Sequence, residues 1–207
     1  MAAPLSETSR AAQSLTAELR FWWPNRQTAI LRAWLEEKGI PLAQASERAD
    51  IYLPTDTGSL NLKRRDGGKI EIKSLVQQQS MAAPFAGEER CEIWVKHVLG
   101  RSSLDPGPQL TIAKTRWLAY LDKQGQILSD GETGSSGCQI ELSEVQPERG
   151  QQIWTSFCLE AFGDPDGLPE RLDAAVRKLG ELPCPEQRPL VASYAEWLHE
   201  EDYFDVA

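Results

Sequence analysis

The chain has 207 residues, 41% of them hydrophobic, with 22 Lys and Arg against 31 Asp and Glu for a net charge of −9. That length allows one large or two small domains with a real core, and the acidic balance argues against nonspecific binding to double-stranded nucleic acid. No apolar run approaches the roughly 18 residues of a membrane span, and the start, MAAPLSETSRAAQSL, lacks the basic-then-apolar plan of a secretory signal.

Residues 1–16 read as a disordered lead-in and 17–207 as a single domain. Cys91, Cys138, Cys158 and Cys184 stand far apart with no CxxC pair, so metal-site spacing is absent and a disulfide framework is not expected. Reduced thiols in a cytoplasm are the reading. Any anion site must be a local concentration of Lys and Arg within an acidic protein.

In chain order, Glu18 to Trp23 (ELRFWW) is a candidate strand. Glu18, Arg20 and Trp22 share one side, and Pro24 ends it. Asn25 can cap a helix running to about Lys38, because Ile30, Leu31, Trp34 and Leu35 fall at helical spacing. A short strand, Ala49 to Pro54, leads into LNLKRRDGGKIEIKSL, residues 60–75. Here period-two alternation is broken by Asp66-Gly67-Gly68, the strongest short-range signal for a β-hairpin. A three-residue loop pairs Arg65 with Lys69, Lys63 with Glu71, Asn61 with Lys73 and Leu62 with Ile72, leaving one face apolar and the other charged.

Gln77 to Glu88 reads as a loop. Arg90 to Val98 is a strand with Arg90, Glu92, Trp94 and Lys96 on one face, and His97 on the less polar face reads as a packed neutral imidazole. Arg101 to Pro108 is turn-rich, and Thr111 to Leu121 is a strand with Lys114 and Arg116 on one face. A turn at Asp122 to Gly125, a short strand at Gln126 to Leu128 and a loop at Ser129 to Gly137 follow. Cys138 to Val145 is a strand with Glu141 and Glu144 on opposite faces, and Ile153 to Phe162 is the last strand. Leu168 to Leu179 reads as a helix closed by Gly180, and a shorter one lies near Tyr194 to Leu198, with His199 and the acidic tail at the surface.

About eight mostly alternating strands, with helices only between the first and second strands and at the end, argue against βαβ units and a parallel sheet. No GxGxxG follows a strand and no GxxxxGK[ST] occurs, so both common nucleotide loops are missing. The expected fold is α+β: a mainly antiparallel, eight-stranded closed barrel with flanking helices. If its polar faces turn inward, the lumen carries Lys63, Arg65, Lys73, Arg90, Lys96, Lys114 and Arg116 together with carboxylates. A lumen of that kind must be hydrated, internally paired or occupied by an anion. Phosphate oxygens suit Arg and Lys, and carboxylates could add Mg²⁺ bridged to phosphate.

The succession LNLKRRDGGKIEIK, RCEIW, KTR and a late strand ending LEAF resembles the CYTH family of triphosphate tunnel proteins. The resemblance spans roughly residues 17–162. It implies an eight-stranded antiparallel tunnel that binds triphosphate-containing or polyphosphate substrates, usually with Mg²⁺ or Mn²⁺. On the matching positions, Lys63, Arg65, Lys73, Arg90, Lys114 and Arg116 would contact phosphate, and Glu18, Glu92 and Glu160 would be the metal candidates. The family's first-strand ExExK reads Glu18-Leu19-Arg20-Phe21-Trp22 in this chain, with Trp94 and Cys158 at two further carboxylate positions. A guanidinium where a carboxylate would hold a divalent ion repels that ion.

Two functions stay open, with a third beside them. The first is a binder of a phosphorylated small molecule, nucleotide or polyphosphate with little or no turnover. The second is a Mg- or Mn-dependent phosphohydrolase, and the third a structural barrel whose charges pair internally. Trp22, Trp94 and Trp154 are expected to face the lumen, as filling or plug, or else as a stacking surface for a base.

Overall fold

The computed structural model describes residues 12–65, 68–83, 87–101, 109–129, 132–183, 188–201 and 203. Residues 1–11 of the expected lead-in, most of the Arg101–Pro108 connection, Cys184 and most of the acidic tail lie outside them.

The strands are β1 (Ala12–Trp23), β2 (Ser46–Leu53), β3 (Leu60–Arg64), β4 (Lys69–Ala83), β5 (Gly87–Arg101), β6 (Leu110–Asp122), β7 (Gly137–Pro147), β8 (Trp154–Phe162) and the two-residue β9 (Leu190–Val191). The helices are α1 (Thr28–Glu37), α2 (Leu168–Leu179) and α3 (Tyr194–Glu200). Antiparallel pairing runs β5-β4-β3-β2-β6-β7-β8-β1, and β1 pairs back to β5, closing an eight-stranded barrel. On the edge of β1 that pairs with β5 up to Glu18, β9 joins at Phe21 and Trp22, which delivers α3 to that end of the barrel.

The hairpin register is the one its side chains specify. Asn61 faces Lys73, Leu62 faces Ile72 and Lys63 faces Glu71. The Arg65 N–H donates to the Lys69 carbonyl at 2.9 Å, and Gly68 takes a φ of 78°, the left-handed conformation such a connection requires.

The apolar core lies outside the barrel wall. Ala17, Leu19, Phe21 and Trp23 alternate outward on β1, joined by Ile140 and Leu142 of β7 and Phe157 and Leu159 of β8, all at most 1% exposed. They pack on Leu31, Trp34 and Leu35 of α1 and on Leu168, Leu172, Val176 and Leu179 of α2. Each such side chain contributes about 1.5–3 kcal/mol by leaving water. With two amphipathic helices covering the outer wall, the polar faces of the strands are the ones left to turn inward.

Four expectations give way. Gln77 to Glu88 is not a loop over its described residues: β4 continues to Ala83 and pairs with β5 from Gly87, with Gln77 facing Ile93 and Gln79 facing Cys91. Its Gln-rich sequence carries no apolar alternation, and the partner strand supplies the ladder. Val76, 60% exposed, is the extra residue where the register shifts between Leu75 and Gln77. Gln126 to Leu128 forms only an isolated bridge, Ile127 with Leu121. β1 starts at Ala12, inside the expected lead-in, because β5 is long enough to pair with it through Val98. Asn25 does not cap α1, whose N-cap is Gln27 without a side-chain bond; the Asn25 carbonyl instead accepts from Thr155 Oγ1 at 2.7 Å.

α2 has the expected bounds. α3 begins with a complete capping box between Ser193 and Glu196. No helix among the described residues is long and apolar enough to cross a membrane.

Candidate anion-binding tunnel

Period-two alternation sends Glu18, Arg20 and Trp22 of β1 inward, with Asp50 and Tyr52 of β2, Lys114 and Arg116 of β6, and Gln139 and Glu141 of β7. Inside the barrel is a cavity of about 160 Å³ lined by Arg20, Arg48, Lys63, Arg65, Lys73, Lys96, Lys114 and Arg116, and by Glu18, Glu71, Glu141 and Glu160. Asn61, Gln139, Tyr52 and Tyr194 complete the wall. With Asp50 just behind it, eight cations face five carboxylates, an excess of three positive charges.

The carboxylates are already engaged by fixed cations. Asp50, 1% exposed, receives Lys114 at 2.9 Å and Arg48 at 3.2 Å, with Arg65 at 3.8 Å. Glu71 receives Lys63 at 3.2 Å and Arg65 at 2.7 Å. Glu141 receives Arg116 at 2.8 Å and Arg20 at 3.5 Å. Lys73 bridges Glu18 and Glu160, the latter at 3.5 Å. Lys96 lines the cavity and makes no ion pair among the described residues.

Like charges also stand directly opposite one another, Lys73 against Lys96 across β4–β5 and Arg48 against Lys114 across β2–β6. Opposed like charges destabilise a sheet. Between Arg48 and Lys114 the Asp50 carboxylate offsets that repulsion.

Titration follows from this crowding. Burial opposes ionisation of Asp50, but Lys114 first, then Lys63, Arg48 and Arg65, outweigh it and hold its carboxyl far below the usual range. Glu141 is lowered likewise, with Arg116 and Arg20 overcoming burial, and Glu71 is lowered by Lys63 and Arg65. Burial depresses the Lys114 ammonium well below its ordinary value, only partly countered by Asp50, and burial followed by Arg65 lowers Lys63.

Because the three carboxylates titrate lower folded than unfolded, their stabilisation is complete above the unfolded value of about 4 and is lost as pH falls through the folded value. Chemical denaturation between pH 7 and pH 2 should therefore show a plateau followed by steep loss of stability below about pH 4. A flat profile through that range would contradict these pairings.

Six of the seven expected phosphate ligands meet in the cavity: Lys63, Arg65, Lys73, Lys96, Lys114 and Arg116. Arg90 does not. It has the right parity on β5 but lies at the end covered by α3, its side chain 47% exposed and paired with Glu196 at 3.3 Å. Of the expected metal carboxylates, Glu18 and Glu160 line the cavity. Glu92 is buried outside the lining, accepting from Trp94 Nε1 at 3.1 Å and Gln78 Nε2 at 3.0 Å, and burial with the nearby Glu196 raises its pKa.

The three tryptophans leave the cavity wall as well. Trp94 is buried on Glu92, while Trp22 stacks on Trp197 at 4.1 Å and Trp154 meets Trp197 edge-on at 5.6 Å. Trp22 and Trp154 thus take the plug role, and base stacking on them is closed off.

Arg20, Glu71 and Glu141 were signalled by parity, whereas Arg48, Asp50, Tyr52 and Tyr194 were not foreseen, Arg48 lying ahead of the expected Ala49 to Pro54 strand. Tyr52 accepts from Lys114 at 2.6 Å, and the Tyr194 ring lies 3.9 Å from the same ammonium. The closed antiparallel barrel, carrying the LNLKRRDGGKIEIK hairpin and the KTR strand with their basic faces inward, decides the fold.

It is the closed eight-stranded antiparallel barrel that the resemblance to the CYTH family implies.

Among solved structures, this chain aligns with the PH1012 protein of Pyrococcus horikoshii OT3 at a TM-score of 0.41 and 16% identity, covering 87% of this chain and 98% of that one. It aligns with the S. pombe Pct1 RNA triphosphatase at a TM-score of 0.45 and 14% identity, covering 81% and 80%. For Pct1 in complex with the Spt5 CTD, the values are 0.45, 14%, 79% and 76%. No protein-family profile and no curated protein sequence matches the chain.

No group of three or more acidic, His or Cys side chains among the described residues is arranged to hold a metal ion. The donor set fits one poorly. Where Glu18 and Glu160 converge stands the Lys73 ammonium, and beside Glu141 stand two guanidinium groups. A divalent cation would have to displace these fixed positive charges. Among the described residues Cys91, Cys138 and Cys158 are free and buried, and burial pushes the Cys158 thiol up to about 12.

Proposed function

We propose that the tunnel binds a phosphate-rich anion, such as a triphosphate, a polyphosphate or a nucleotide, with little or no metal-dependent turnover. The observation that carries this reading is the excess of cations over carboxylates in an enclosed lumen. An enclosed charge excess is expensive in a low-dielectric interior unless an anion neutralises it. Phosphate is the anion whose oxygens best use several Lys and Arg donors at once. Lys73 and Arg20 supply, from within the protein, the positive charge that a divalent ion would bring.

The second reading, a Mg- or Mn-dependent phosphohydrolase, retains Glu18 and Glu160 in the cavity. Those carboxylates are tied up by Lys73, which favours binding over hydrolysis.

Thermal unfolding with tripolyphosphate, ATP or buffer, each with EDTA or with Mg²⁺, separates the readings. At a hundred times Kd, one-site binding adds about 2.7 kcal/mol and raises the midpoint by several degrees. The shift is expected in EDTA, without release of orthophosphate. A shift and phosphate release only with Mg²⁺ would establish the hydrolase, and no shift under any condition would leave a barrel of internally paired charges.

A further inference from the structure

Followed away from α3, the inner faces of β6 and β8 change character in the same order. On β6, Ile112 belongs to the aromatic cluster around Trp197, Lys114 and Arg116 line the cavity, and Leu118 and Tyr120 come next. On β8, Trp154 belongs to that cluster, Glu160 lines the cavity, and Phe162 holds the next inward position. Gln139 of β7 lies between the two strands, paired with Tyr120 on one side and Glu160 on the other, and it too lines the cavity. A period of two keeps these side chains on one face. The end of the tunnel opposite α3 therefore has an aromatic rim on its β6–β8 side.

The two rings form a corner, with centroids 6.3 Å apart and planes at 85°. The Tyr120 hydroxyl donates to Gln139 Oε1 at 3.1 Å. Burial raises the pKa of that hydroxyl, and the charges acting on it are those of Arg116, Glu141 and Glu160, all cavity residues. Both rings are partly exposed, and neither packs into the helix-covered core or the cluster around Trp197. Every other described aromatic ring does so, apart from the buried Trp94. Core filling thus accounts for the other rings and leaves these two without a structural task. Ligand sites combine such an apolar surface with a few convergent polar groups.

Size limits what the cavity encloses. At about 160 Å³ it falls short of the roughly 300–1,000 Å³ of pockets that surround a whole drug-sized ligand. Phosphate groups fit among its cations, and whatever they are attached to lies at the rim. A chain of phosphates alone gains nothing from ring faces, whereas every nucleobase has a π face that stacks on them.

We infer that the rim is a nucleobase subsite: the ligand is a nucleotide whose base stacks in the corner between Phe162 and Tyr120 while its phosphates lie among the cavity cations. It supplies the stacking surface that Trp22 and Trp154 do not. This inference rests on the anion-binding reading and narrows it from phosphate-rich anions in general to nucleotides.

The test is calorimetry on the full chain in EDTA with ATP and with tripolyphosphate, which share a chain of three phosphates and differ in the nucleoside. Phe162→Leu and Tyr120→Leu keep apolar bulk and each remove one ring. Each should weaken ATP by about five- to a hundredfold, the range for one base stacked on one side chain, and leave tripolyphosphate unchanged. Phe162→Tyr keeps a ring face and should hold ATP as the parent does.

Unchanged ATP affinity in both leucine variants would overturn the rim while leaving anion binding in place. Equal losses for ATP and tripolyphosphate would overturn it too, since they put the effect in the tunnel and not on the base. A loss in Phe162→Tyr as large as in Phe162→Leu would overturn stacking as the cause. Failure of both probes to bind the parent would overturn the anion-binding reading itself.

Discussion

Asp50→Asn should lower the unfolding free energy by about 3–5 kcal/mol, the usual consequence of leaving a buried charge without its counterion. The residue is 1% exposed and balances Lys114 at 2.9 Å, Arg48 at 3.2 Å and Arg65 at 3.8 Å. The amide keeps the shape of the side chain but removes the charge, so the interior excess grows from three positive charges to four. Urea denaturation at pH 7 should show a lower midpoint with an unchanged slope.

Added tripolyphosphate should recover part of the loss in Asp50→Asn and stabilise the variant more than the parent, because the anion then supplies the missing countercharge. A loss under about 1 kcal/mol would mean that neighbouring lysines deprotonate in place of the lost partner. Equal stabilisation of both proteins would argue that the anion sits elsewhere than beside Lys114 and Arg48.

Trp197→Ala is the second large effect, expected at about 3–5 kcal/mol, the range for removing a buried aromatic side chain. Trp197 is fully buried, stacked at 4.1 Å on Trp22 and met edge-on by Trp154 at 5.6 Å and by Tyr194 at 5.4 Å. α3 has only seven residues and is too short to persist alone, so its capping box and Arg90–Glu196 pair cannot hold it once its anchor is gone. The stability loss should appear in the same urea experiment. A variant as stable as the parent would show that α3 is held by contacts other than this aromatic cluster.

Much of the site was legible because strand alternation is strict. Lys63 with Arg65, Lys73, and Lys114 with Arg116 sit at steps of two on strands whose other face is apolar, and a period of two leaves each no choice of side. The hairpin register was legible for the same reason, since a one-residue slip would oppose Leu62 and a charged residue. Helix α2 was legible from its apolar spacing and the closing Gly180.

Position along the barrel axis was not legible. Arg90 and Glu92 have the same parity as Lys96, yet they end beside α3 rather than in the cavity, because depth depends on how far each strand is staggered against its neighbours. Asp50 was not foreseen, and its weight comes from Lys114 on β6, Arg65 just after β3 and Arg48 on its own strand. The Gln-rich part of β4 has no pattern of its own and is a strand through β5.

By itself, then, the sequence determined which residues share a face, where the tight turn falls and that basic residues cluster by parity, all local consequences of backbone geometry. The tertiary structure decided which face turns inward, since only α1 and α2 packing on the outer wall make the apolar side the outside. It also decided which carboxylate meets which cation, and it brought Tyr194 and Trp197, some 170 residues from their partners on β1, to seal one end. Those are long-range contacts set by stagger and closure, and no local pattern encodes them.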